Sequence, residues 1–208
     1  MALETTYRKQ LREKIIDSAM QEFTTRGIRS VTMDEIARKL LISKRTLYEI
    51  FSNKEELLLE GMKKGFQREY DMLVSYTNSQ ESDVIDVLME LYRIRMSELS
   101  EISPTFIIEL GKYPKVMRFF QERSERRERE GVEYVKRGIA EGYIRSDINL
   151  DLIFILVDAA LDSAMKKEIY KKFDMKTIYK NVLLLMLGGI STIKGQKKIE
   201  EELAKLNI

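Results

Sequence analysis

Between residues 32 and 51 the apolar positions fall at helical spacing in two short runs. Ile36, Ala37 and Leu40 recur at i, i+1 and i+4 behind Thr32. Thr32 and Glu35 have the spacing of a capping box, in which the hydroxyl accepts from the third helical N–H and the carboxylate reaches back to the cap. Ser43 is placed to cap a second helix. On that helix Leu47, Ile50 and Phe51 share one side, Arg45, Tyr48 and Glu49 share the other, and Lys44 lies at the positive N-terminal end. A helix of about eight residues does not stand alone. Its apolar side must rest on a scaffold, which leaves two cations, Thr46 and a phenol for a partner. Such a helix suits the major groove of DNA.

The rest of the chain reads as helix throughout. Leu11, Ile15, Ala19 and Phe23 repeat every four residues over residues 7–26, with Ile16 and Met20 widening the stripe and Gly27 as the stop. Ser52 or Asn53 caps a fourth helix, because Glu55 and Glu56 follow three residues later, and the helix runs on through Met62, Phe66, Tyr70 and Leu73. Lys54 stands in its first turn, where the helix dipole disfavours a cation, so an anionic partner is expected for it. Residues 77–82 are polar and read as a loop. A fifth helix then presents Val84, Leu88, Leu91, Tyr92, Leu99 and Ile102 on one face. Pro104 opens a short sixth helix bearing Phe106, Ile107, Leu110 and Tyr113, and Pro114 begins a seventh that reaches about residue 141. Its stretch 121–130 mixes charges at i, i+4 spacing and reads as a solvated face.

The eighth and ninth helices, about 151–167 and 175–193, are apolar on more than one side and must be covered on more than one side. A second copy of the chain is the natural cover. Ala160, Ala164, Leu184 and Gly188 are the expected interface, small residues among them allowing close approach. Residues 195–206 form a charged terminal helix with no assignable role.

Composition narrows the function. The 208 residues are enough to bury a sizeable core in one or two domains. Two prolines, ten glycines and 34% charged residues fit an all-helical protein. The formal net charge of +2 offers no bulk attraction for nucleic acid, but Arg38, Lys39, Lys44 and Arg45 cluster where Glu49 is the one acid between Ile36 and Ile50. Cysteine and histidine are both absent, which removes disulfides, thiolate metal sites and the commonest general base. With no nucleophile–base pair in view, neither an enzyme nor a cofactor or metal is expected. The first residues lack a signal-peptide layout and no apolar run is long enough to span a bilayer, so a soluble cytoplasmic protein without a membrane partner is expected.

The run EIARKLLISKRTLYEIFSNKEEL closely resembles the helix-turn-helix of the TetR family of bacterial transcriptional regulators. The likeness rests on Glu35-Ile36-Ala37, Ile42-Ser43, Thr46-Leu47-Tyr48, Phe51 and Asn53-Lys54-Glu55-Glu56-Leu57. Phe23 ahead of Arg26-Gly27 extends it into the first helix, and residues 138–145 resemble the turn between the last long helices of such regulators. Leu41 stands where the family usually has Gly, Arg45 where many members have Gly, and Glu49-Ile50 replaces the usual pair.

The resemblance implies an all-α fold with a three-helix DNA-binding domain over residues 1–53 and a helical effector-binding and dimerisation domain over 54–208. It implies a homodimeric repressor that leaves a palindromic double-stranded operator when a small apolar or amphipathic effector binds. Thr32, Lys44, Tyr48 and Lys54 would meet phosphates, with Ser43 beside them, and Arg45 and Thr46 would reach base edges. Arg95 lies within the apolar arc of the fifth helix, and a guanidinium there needs an anion. Glu98 or Glu109 could supply it, or the acidic head of an effector whose body lies among Met62, Phe66, Tyr92, Phe106 and Leu110. The alternative is a helical interaction module whose helix-turn-helix no longer reads sequence, favoured by Leu41 and by the phosphate-repelling Glu49.

Overall fold

The structure, a computed structural model, describes residues 2–79, 81–100 and 102–205, with side chains described outside residues 2–5, 124–132, 150, 151 and 154. Among these residues the chain is all α. Its helices are α1 (Ala2–Arg26), α2 (Met33–Lys39), α3 (Lys44–Ile50), α4 (Lys54–Ser79), α5 (Val84–Leu99), α6 (Pro104–Leu110), α7 (Pro114–Ala140), α8 (Leu150–Lys166), α9 (Met175–Ile190) and α10 (Ile193–Lys205). A short 3-10 turn, Ile169–Lys171, stands between α8 and α9 and has no counterpart in the apolar pattern.

The chain divides into two compact units, Met1–Arg68 with Glu101–Arg123, and Glu69–Ser100 with Ser124–Ile208. The first unit gathers more than the expected 1–53. Leu57 and Leu58 of α4, Phe106 of α6 and Val116 of α7 are buried in one core with Ile15, Ala19 and Phe23 of α1, Ile36 of α2, and Leu47 and Phe51. A three-helix domain has too little apolar surface of its own to close such a core, so α4, α6 and the start of α7 complete it.

α1 ends at Gly27, which has a left-handed φ of +85°. A side chain there would be strained, and its Cβ would lie 2.8 Å from Thr105 Cγ2. The same glycine therefore ends α1 and admits α6. Leu41, in the turn between α2 and α3, has φ 55° and is 93% exposed, so a strained backbone there carries a leucine that packs on nothing in the subunit.

In the second unit α5 is buried on more than the single face its periodicity suggests. Val84, Ile85, Val87, Met89, Tyr92 and Ile94 are all buried. Val84, Ile85, Met89 and Tyr92 share a cluster with Ile144, Leu187, Ile190 and Ile199. The terminal helix has a role that its charge concealed. Lys198 of α10 bonds the two carboxylates of the α5 capping box, Asp83 and Asp86, the latter at 2.9 Å. Burial works against the Lys198 charge, but those two hydrogen bonds outweigh it and hold its pKa well above the ordinary lysine value.

The end of α9 and the link to α10 are also stitched to residues 142–145. The Thr192 N–H donates to Tyr143 O at 3.0 Å and the Arg145 N–H to Ile190 O at 2.9 Å. Gly195 passes so close that an added Cβ would stand 2.3 Å from the Tyr143 carbonyl oxygen, which belongs to the backbone and has little room to yield. Gly195→Ala should therefore destabilise the protein by about 1–3 kcal/mol through overpacking. Denaturant unfolding checks this; an unchanged midpoint and slope would show that α10 docks more loosely than this.

Candidate nucleic-acid interface

Each helix of the helix-turn-helix begins as its sequence directs. The Thr32 hydroxyl accepts the Glu35 N–H at 3.2 Å, and the Thr32 N–H donates to the Glu35 carboxylate at 2.7 Å, closing the capping box. Those bonds from Thr32, backbone first, hold the Glu35 pKa below its ordinary value. Ser43 caps α3 by accepting the Thr46 N–H at 3.0 Å, and its hydroxyl lies 2.8 Å from that of Thr46. Leu47 and Phe51 anchor α3 in the core. Ser43, Lys44, Arg45, Tyr48 and Glu49 are exposed and Thr46 is half-buried, so the expected site residues of α3 share one accessible side.

The charges on that side are paired. Lys44 bonds Asp34 of α2, Arg45 Nε donates to Glu49 Oε1 at 2.8 Å, and Lys39 bonds Glu22 of α1. The Glu49 hydrogen bond raises the Arg45 pKa above its ordinary value. Arg38 is exposed and has no ion-pair partner among the described residues. It was visible in the basic cluster, yet the capping and face arguments gave no reason to single it out. A cleft of about 310 Å³ beside it is lined by Glu22, Arg26, Glu35 and Lys39, whose charges already pair with one another.

Lys54 has partners within the protein. Its ammonium donates to the carbonyl oxygens of Ile28 at 2.8 Å and Val31 at 2.7 Å, within the first unit. Burial lowers its pKa, and the Glu109 and Glu35 charges oppose that shift. The misfit at the start of α4 is thus met by backbone carbonyls of the protein. Asn53 caps α4, accepting the Glu56 N–H at 2.9 Å.

Residues 15–60 match the profile described as bacterial regulatory proteins, tetR family. Over that segment the chain is similar to the TetR family. The TetR-family likeness extends past the matched segment. The HTH-type transcriptional repressor KstR2 of Mycobacterium tuberculosis is 24% identical over 190 residues, covering 86% of this chain and 92% of that one. A solved transcriptional regulator from Saccharomonospora viridis in complex with choline shares the fold at a TM-score of 0.69 and 18% identity, over 88% of this chain and 99% of that one. The fatty acid degradation regulator FadR from Bacillus halodurans does so at a TM-score of 0.64 and 22% identity, over 86% and 95%. The relatives this chain resembles are named transcriptional repressors and regulators. Among the described residues no helix is long and apolar enough to cross a membrane.

The remaining expected residues divide between the units. Met62, Phe66, Phe106 and Leu110 belong to the first, where Phe66 packs against Phe119 and Phe120 at 5.7 and 5.8 Å between ring centres. Tyr92 and Arg95 belong to the second. Arg95 Nη2 lies 2.8 Å from Glu69 and Nη1 lies 3.6 Å from Glu98, while Glu109 accepts the Arg29 N–H instead. The expected internal pairing is thus present with Glu98, and more closely with Glu69, which was not expected. Periodicity could name Glu98 but not Glu69, which comes from another helix. Of the expected interface, Ala160 and Gly188 are exposed and Leu184 is half-buried, but Ala164 is covered within its own subunit.

Two outcomes follow. Lys54→Met leaves two carbonyls without their donor and should cost about 1–3 kcal/mol in stability. The salt dependence of DNA affinity should keep its slope; a slope shallower by about 0.9 would return Lys54 to a phosphate. Arg95→Met strands the buried Glu69 and should destabilise by roughly 3 kcal/mol. The double variant with Glu69→Met should recover much of that loss in thermal melting, and no recovery would refute the pair as the cause.

Proposed function

We propose that the protein is a homodimeric repressor that sits on a palindromic operator and leaves it when a small molecule binds. The observation that carries this reading is the capped, core-anchored α3 with its polar side accessible, in a chain similar along most of its length to a named repressor. Two copies would present two such helices to successive major grooves, roughly 34–36 Å apart or somewhat more. Thr32, Ser43, Lys44 and Tyr48 would position the protein on phosphates, and Arg45 and Thr46 would meet base edges.

Dimerisation is supported by the outer surface of α8 and α9. Leu152, Ile155 and Leu156 of α8 are 51%, 59% and 54% exposed, and Leu185 of α9 is 78% exposed. Ala160 and Gly188 lie on the same two helices, and a Cβ added at Gly188 or Gly189 would meet nothing within 4 Å. Large apolar side chains left this exposed on two packed helices support an interface there. Release would follow if the effector prefers the conformation that fits DNA poorly, since a ligand shifts an equilibrium only by its differential affinity. With Arg95 engaged by Glu69, the effector needs no carboxylate, and an apolar or amphipathic molecule is the proposed class.

The paired charges on α3 favour a second reading, in which the helix-turn-helix docks a protein and reads no sequence. Selection from random DNA separates the two. The repressor reading predicts an enriched palindrome bound with steep salt dependence. Sedimentation at micromolar concentration should give a dimer, and Leu184→Glu should give monomer or aggregate. Enrichment of no sequence would favour the docking module, and a wild-type mass of one subunit would remove the dimer.

A further inference from the structure

Glu49 is the residue of α3 that the regulator reading has not absorbed. Its side chain is 54% exposed, on the accessible side of the helix, where a carboxylate opposes phosphates. It engages Arg45, 88% exposed, through Nε and Oε1 at 2.8 Å. An exposed i, i+4 pair contributes little to the stability of a helix already held by its core residues. The consequence of Glu49 therefore falls on whatever α3 meets.

The contact leaves defined atoms available. With Nε given to Glu49, the end edge of the Arg45 guanidinium, one N–H from each Nη, is not used in the pair and can meet guanine O6 and N7 in two parallel hydrogen bonds. Oε2 of Glu49 takes no part in the pair and can only accept. Four residues along a helix advance it by about 6 Å, comparable to one or two base steps of about 3.4 Å. Joined heads on that rise fall on neighbouring bases. The backbone beneath is fixed as well, because Arg8 of α1 donates from Nη2 to the Glu49 carbonyl oxygen at 3.2 Å.

We propose that Glu49 is a specificity-determining residue that acts in two ways: it orients Arg45 toward a guanine, and it selects an amino base over a keto base at the adjoining position. Cytosine N4 and adenine N6 offer a donor to Oε2, whereas guanine O6 and thymine O4 turn an acceptor toward it. The carboxylate also lowers attraction to DNA of any sequence, so Arg45 contributes most where its guanine is present. The proposal rests on α3 being the recognition helix.

The test is a selection from random DNA with the wild-type protein, Glu49→Gln and Arg45→Ala, followed by affinities on the enriched site and its single-base variants. Glutamine keeps the size of Glu49 but both donates and accepts. The wild type should prefer an amino base beside the guanine about tenfold, the scale of one good base contact, and Glu49→Gln should bring that ratio near one. Glu49→Gln should bind random DNA several times more tightly, with the melting temperature unmoved. In an Arg45→Ala background, Glu49→Gln should no longer alter the preference at the guanine position. If the wild type enriches a motif and Glu49→Gln enriches the same motif with the same amino-to-keto ratio, Glu49 is only a surface pair and the proposal is wrong. If the wild type itself enriches nothing, the recognition-helix reading fails and takes the proposal with it.

Discussion

Residues 27–31, between α1 and α2, have no regular structure, and three of their backbone groups are satisfied by side chains of other helices. Lys54 of α4 donates to the carbonyls of Ile28 and Val31, and Glu109 of α6 accepts the Arg29 N–H at 2.8 Å. Just before them, the Ser103 N–H donates to Thr24 O at 2.7 Å. Ile28 and Val31 are fully buried, so the segment is pinned by apolar contact as well as by charge-assisted hydrogen bonds. Thr32 follows at once and starts α2. The entry angle of the helix-turn-helix is thus set by α4 and α6, two helices outside the motif. A buried backbone group left unpaired costs about 1–3 kcal/mol, so the segment cannot shift without losing several such bonds together.

What could be read from the residues was whatever depends on neighbours three or four positions away. The Thr32–Glu35 box, the Ser43 cap, the Gly27 stop and the stripe through Ile15, Ala19 and Phe23 all have that range, and the structure forms each of them. Leu41, where the resembled family usually has glycine, has a positive φ. What depends on meetings between distant segments was not legible. Lys54 finds carbonyls more than twenty residues away, Arg95 finds Glu69 across a helix boundary, and Lys198 finds Asp83 from the far end of the chain. A single sequence without pairing information shows that such a charge needs a partner, but not which partner it meets.

α5 illustrates the same limit for apolar residues. Its expected stripe ran through Leu88, Leu91 and Leu99, yet Ile85, Met89 and Ile94 are buried and those leucines only partly so. A helix enclosed by others on several sides buries residues around most of its circumference, and periodicity then loses its power to choose a face. α8 and α9 show the opposite case. They too are apolar on several sides, but much of that surface remains open on the subunit, so the excess there marks an uncovered face rather than a central position.

The recognition side of α3 combines cations with carboxylates at contact distance, in a chain of formal net charge +2. Non-specific affinity for DNA grows with the number of phosphates neutralised, and each lysine or arginine already paired with an acid neutralises less. A regulator built this way gains little from DNA at large and depends more on contacts that only the right sequence offers. That shifts the balance from total affinity toward the ratio between specific and non-specific binding, which is the quantity that decides occupancy among very many competing sites. Asp34 and Glu49 reduce attraction everywhere, while the hydrogen bonds they impose on Lys44 and Arg45 restrict where those side chains can reach. Exposed cations on flexible stems settle on any nearby phosphate, and on the proposed reading the restraint by Glu49 is what would favour a base edge over a phosphate for Arg45.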